Sequence, residues 1–170
     1  NSISFCQFQK LNSNLGNVKL IPVKDLIQKY RIVKSGMEID LITRAAEIVD
    51  ETFTYALGII KPGMAELEIA AKLQYFIKVK KAAGTSFETI LLSGFRSSLP
   101  HGKPSSKILQ KGEIVLLDMG IDWQGYCSDL TRTVCLGRMS SEQRKVYRVV
   151  RKAQKKALAN VKPGIKGSKL

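Results

Sequence analysis

Apolar positions recur at helical spacing twice in the first half of the chain. Leu41, Ala45, Ile48, Val49, Thr52, Phe53, Ala56, Leu57 and Ile60 fall on one face at a 3.6-residue period. Ser35 precedes them as an N-cap, with Glu38 three residues on to complete a capping box, and Pro62-Gly63 ends the helix. A second helix, over about 65–82, presents Leu67, Ala70, Ala71, Leu73, Phe76 and Ile77 until Gly84 stops it. Strand patterns follow, over 85–92 and 114–136, rich in Ile, Val, Leu and Thr. Ser140-Ser-Glu-Gln143 opens a last helix. Upstream, a polar start leads to Val18–Pro22, read as a strand, and Asp25–Tyr30, read as a short helix. The order of elements is that of an α+β domain.

The strand pattern carries the chemistry. Glu113-Ile-Val-Leu-Leu-Asp118 is a buried run that ends in a carboxylate, and Asp122-Trp-Gln-Gly125 reads as a turn. Cys127-Ser-Asp129-Leu-Thr131-Arg-Thr133 starts the returning strand. A four-residue loop at 122–125 places Asp118 directly opposite Asp129 on one face of the hairpin. Like charges directly opposite destabilise a sheet, and a divalent cation between them removes the conflict. Against this stands the ordinary reading of an Asp at a strand end, a turn former or a cap. A three-residue loop bulged at Gly125 would put the two on opposite faces.

Several segments together resemble the pita-bread metallopeptidases. They are Ser86-Phe-Glu-Thr-Ile90, Ser93-Gly94, Leu99-Pro-His-Gly102, the run from Gly112 to Asp118-Met-Gly120, and Gly125-Tyr-Cys-Ser-Asp129-Leu-Thr-Arg-Thr133. The likeness is stronger to aminopeptidase P and prolidase, the Xaa-Pro peptidases, than to methionine aminopeptidase, and runs from about Tyr30 onward. It implies the N-terminal half of a pita-bread (creatinase/aminopeptidase-like) catalytic domain over 35–170. Residues 1–34 would be the C-terminal remnant of an N-terminal domain plus a linker. It implies two divalent ions (Mn, Co, Fe or Zn, with Mn favoured), held by two Asp, one His and two Glu. Asp118 matches the first Asp and Asp129 the second, which bridges both ions. His101 matches a histidine that contacts substrate, a catalytic role and not one of the five ligands. The substrate implied is a peptide with proline in second position, cleaved before the proline by metal-activated water.

One departure from that pattern is decisive. Past Asp129 the chain has no histidine and a single glutamate, Glu142, so three of the five ligands and the general-base Glu have no counterpart. The chain alone is therefore expected to be inactive. An internal repeat agrees: Ala56-Leu57 with Lys61-Pro62-Gly63 recurs as Ala157-Leu158 with Lys162-Pro163-Gly164, 101 residues on. This reads as one repeat and the opening helix of a second.

Composition sets bounds. At 170 residues with 44% hydrophobic and 25% charged positions the chain can bury a core. Having no Met at Asn1, it reads as processed or cut from a longer protein. No apolar run is long enough for a transmembrane helix, no leader opens the chain, and no membrane partner is expected. Cys6, Cys127 and Cys135 have no metal or disulfide spacing, which favours reduced cysteines and a cytoplasmic setting. The net charge of +14 is concentrated from Arg138 onward, where eleven Lys and Arg face one Glu. That stripe is expected to be a solvated helix face and not a nucleic-acid surface, since only Tyr147 interleaves it. His101, between two prolines, is on its own terms an exposed loop imidazole, and Phe87 and Trp123 are read as packing. Two other classes stay open, a non-catalytic pita-bread module that binds peptides or proteins and a basic nucleic-acid binder. So does a homo-oligomer of the complete protein.

Overall fold

A computed structural model describes residues 3–169; Asn1, Ser2 and Leu170, which fall within the two expected domains, lie outside the described residues. The chain divides into two compact units, Asn1–Gly36 and Met37–Leu170.

The first unit holds α1 (Phe5–Asn14) and α2 (Leu26–Ile32). Helix α1 begins at a capping box in which Ser4 and Gln7 satisfy each other's backbone amides, at 3.2 and 2.8 Å. The polar composition of this stretch concealed it, because no residue of α1 is buried and so no apolar stripe marks it. The strand expected at Val18–Pro22 is absent: this segment is irregular and Val18 and Ile21 are exposed. A strand needs a ladder partner, and the first unit offers none among its described residues.

In the second unit α3 (Gly36–Ile59) and α4 (Glu66–Val79) pack on strands β1 (Gly84–Thr85) to β6 (Leu130–Cys135). The other strands are β2 (Ile90–Ser93), β3 (Ile114–Met119), β4 (Ile121–Trp123) and β5 (Tyr126–Cys127). Helix α3 buries Ala45, Ile48, Val49, Thr52 and Ala56, as its periodicity requires, but Leu57 at the edge of that stripe is exposed. The face of α4 is turned from the predicted one: Ile69 joins Ala70, Leu73 and Ile77 inside, whereas Leu67 and Ala71 face solvent. These helices meet Leu91, Val115, Leu117, Met119 and Ile121 in one core cluster. Each fully buried Leu or Ile contributes about 1.5–3 kcal/mol of transfer free energy.

All strand pairs are antiparallel, in two three-stranded sheets ordered β1-β4-β5 and β2-β3-β6. One long hairpin, β3 and β4 out and β5 and β6 back in a single register, runs through both sheets and is interrupted at Gly120. A Cβ on Gly120 would lie 2.2 Å from the Ser128 carbonyl oxygen and 2.0 Å from Ser86 Oγ, so only glycine allows that approach. The turn of the hairpin is shorter than the expected four residues. Trp123 pairs with Tyr126, and Gln124 and Gly125 both have positive φ, 53° and 83°. The register consequently shifts by two: Asp118 faces Thr131, not Asp129. A shift of two preserves the face, whereas a shift of one would have reversed it.

Helix α5 (Ser141–Asn160) starts at a second capping box, Ser140 with Gln143, and buries none of its residues. Its end repeats that of α3. Ile60 N–H donates to Ala56 O and Val161 N–H to Ala157 O; Met64 N–H reaches Lys61 O and Ile165 N–H reaches Lys162 O. Gly63 and Gly164 have φ of 92° and 85°. The Lys-Pro-Gly repeat is one local structure built twice.

Candidate metal and peptide site

Strand β3 alternates. Val115, Leu117 and Met119 point into the core, and Asp118 lies on the opposite face, beside Ile90 of β2. Asp118 is half-buried, and its Oδ1 accepts a 2.8 Å hydrogen bond from Thr131 Oγ1. Asp129 is exposed, in the step between β5 and β6, and the β3–β6 register continued past Met119–Leu130 sets it level with Gly120. The carboxylates are thus diagonal neighbours across the hairpin instead of a facing pair, which relieves the direct repulsion that first suggested a cation.

His101 arrives from elsewhere in sequence. Strand β2 runs into a 3-10 turn, Gly94–Ser98, and then into the Leu99–Pro104 loop, where His101 is exposed in a turn. The three residues singled out in the sequence line one cavity of about 480 Å³, together with Phe87, Glu88, Ile90, Pro100, Gly102 and Lys103. Lys103 and Glu88, both exposed, are bridged at 2.6 Å on its wall. Phe87, read as packing, is a wall residue of this cavity. Thr131, Glu88 and Lys103 went unrecognised as site residues. Thr131 had a legible signal in its same-face position across from Asp118 once the two-residue turn is known. The Lys103–Glu88 pair had none, being fifteen residues apart across two loops.

The donor set fits part of a metal centre. Carboxylate oxygens suit hard or borderline divalent ions, and the Thr131 bond orients Asp118 as an outer partner does for a ligand. A hard ion takes about six oxygens. Among the described residues no group of three or more His, Cys, Asp or Glu is placed to hold one. Asp118 and Asp129 can supply one side of such a centre and not the whole of it.

The basic end of the chain forms a separate cleft of about 660 Å³, lined by Arg138, Arg144, Lys145 and Arg148 among others. No aromatic residue lines it. Cys6 and Cys127 are exposed free thiols and Cys135 is a half-buried one. No helix among the described residues is long and apolar enough to cross a membrane.

Comparison with known proteins bears on the family and the fold. Residues 40–170 match the profile of metallopeptidase family M24. The chain is 40% identical over 166 residues to an Xaa-Pro dipeptidase of Pyrococcus horikoshii, covering 98% of the chain and 47% of that protein. It is 38% identical over 167 residues to the uncharacterized peptidase YqhT of Bacillus subtilis, covering 98% and 47%. Among solved structures, the Xaa-Pro dipeptidase from Bacillus anthracis superposes with a TM-score of 0.92 at 34% identity, over 96% of the chain and 46% of that structure. The prolidase from Pyrococcus furiosus gives 0.91 at 37% identity, over 97% and 49%. The chain spans about half the length of the curated relatives it matches. The fold is the one expected from the sequence, the N-terminal half of a pita-bread domain.

Proposed function

Because the chain belongs to metallopeptidase family M24, we propose that it is the first half of an Xaa-Pro peptidase, which hydrolyses the bond before proline. The observation that supports this is the convergence of Asp118, Asp129 and His101 on one cavity. Relatives described as Xaa-Pro dipeptidases and prolidase point to the same substrate class. Asp118 would hold one divalent ion and Asp129 would bridge two, with one His and two Glu supplied from outside these residues. Bound there, the ions would polarise the scissile carbonyl and lower the pKa of attacking water, manganese being the favoured metal. Thr131 fixes one oxygen of Asp118 and leaves the other free to turn toward an ion. His101, at the cavity wall, is placed to hydrogen-bond a peptide carbonyl or steady the charge that develops on it. Phe87, Ile90 and Pro100 give the same cavity an apolar side suited to a pyrrolidine ring.

Titration calorimetry with manganese tests the assignment. Two carboxylates should bind the ion weakly, since water must fill the remaining positions. Binding should weaken further in Asp118→Ala and in Asp129→Ala. Binding as strong in both variants as in the parent chain would remove the metal role from this pair.

A further inference from the structure

Glu66, the first residue of α4, is fully buried, yet nothing in the proposed chemistry uses it. Its Oε1 accepts from the Ser93 amide at 2.7 Å and from Ser93 Oγ at 3.0 Å. Its Oε2 accepts from Arg96 Nε at 3.2 Å, the Ser105 amide at 3.1 Å and Ser105 Oγ at 2.8 Å. Both serine hydroxyls are themselves oriented from Lys107: Ser93 Oγ accepts from its Nζ at 2.9 Å, and Ser105 Oγ from its backbone amide at 3.2 Å. A buried carboxylate is tolerated only where donors replace its water, and here five of them do.

The placement of those donors is the informative part. They sit at the two ends of one segment, Ser93 and Arg96 before it and Ser105 after it, and the segment between carries His101. Arg96 extends the tie inward, donating from Nη2 to the Lys103 carbonyl at 2.7 Å, two residues past the imidazole. The Leu67 amide holds the far end through Ser105 O at 3.0 Å. Gly102 seats the tip: a Cβ there would lie 2.7 Å from Leu92 Cδ1. We propose that Glu66 is a positioning residue, whose carboxylate closes the base of the 93–105 loop and so sets where His101 stands beside Asp118 and Asp129. The functional weight of this rests on reading that cavity as the peptidase site.

The chemistry of the clamp supplies its own probe. Glu66→Gln keeps the volume, but the new amide nitrogen faces backbone or guanidinium N–H groups that can only donate, so even where a serine hydroxyl turns to accept, part of the set is lost. His101 is the only histidine, so one imidazole signal in a proton–carbon NMR spectrum of the chain reports its surroundings. In Glu66→Gln that signal should move toward the position of free histidine. Exchange of the Ser93 and Ser105 amides should rise about tenfold or more, the scale of a lost hydrogen bond to a charged group. Arg96→Gln, a less buried change, should move the imidazole the same way by a smaller amount, and it decides the matter if Glu66→Gln does not fold. Leu73→Ala, a core change of general effect, should lower the melting temperature and leave the imidazole signal in place. A signal unmoved by the Glu66 and Arg96 changes, or moved as far by Leu73→Ala, would overturn the clamp. None of these readouts needs metal or substrate, so the clamp and the peptidase reading fail separately.

Discussion

At the scale of single residues, the ion pair that supports the site loop is sensitive to acid. Burial acts against the charge of Glu113, but hydrogen bonds from Lys107 Nζ and the Gln110 amide, with the attraction of the ammonium, outweigh it. Its carboxyl is held below the ordinary value of 4.5. Because the folded value is the lower one, the stabilisation is complete above that ordinary value and is lost as pH falls through the folded value. Glu113→Gln should therefore melt below the parent chain at pH 7, by an amount of order 1–3 kcal/mol for hydrogen bonds to a charged group, and the gap should close at a pH well below 4.5. Paired thermal melts at the two pH values check this, and a gap that widens in acid would contradict the pairing. Much of the candidate site was visible in the residues: an Asp closing an apolar run, a second Asp eleven positions on, and one histidine between prolines all come to one cavity. Glu66 was not visible, because an acid in a first helical turn is expected of any helix. Only the folded loop shows that its carboxylate is turned inward.

At the scale of elements, the helices and strands of the core formed where their periodicity put them, although α4 turned its face, and elements outside the core were missed or absent. Helix α3 buries the expected stripe, and the last helix starts at the expected Ser140. The hairpin register was missed by two because Asp122 and Trp123 look like turn residues but pair as strand, leaving Gln124-Gly125 to make the whole reversal. The unpredicted α1 and the absent strand at Val18–Pro22 both lie where burial gives no signal. Helix α5 is the instructive case. Carried forward by the repeat, the five buried positions of α3 become Val146, Val149, Val150, Ala153 and Ala157, a continuous apolar stripe that is wholly exposed. The expected solvated charged face is there, but it is only one side of the helix. An apolar stripe in the place of a buried one should bind a hydrophobic dye. Val146→Asp combined with Val149→Asp should remove most of that fluorescence and leave the melting temperature almost unchanged, since neither side chain is packed. A large loss of stability would mean that α5 already rests against something.

At the scale of the whole molecule, activity depends on how many ligands converge, and the count within 170 residues is short. Asp118 and Asp129 provide carboxylates at one wall of the cavity, the only histidine belongs to the loop opposite, and a single glutamate follows Asp129 in sequence, on the exposed helix α5. A centre that activates water needs its ions fixed in number and geometry, and it needs a base to carry the proton to the leaving amine. Loss of any member of a group that works as a unit removes most of the rate. The purified chain should accordingly fail to cleave an Xaa-Pro peptide even with manganese or cobalt in excess. Mixing it with a segment that carries the missing His and two Glu on a complementary half domain should restore turnover, and that segment should also cover the α5 stripe and abolish dye binding. The two readouts should rise together as the second half is titrated. Turnover by the chain alone that disappears in Asp118→Ala would overturn this account, because the remaining ligands would then have to come from another copy of the same chain.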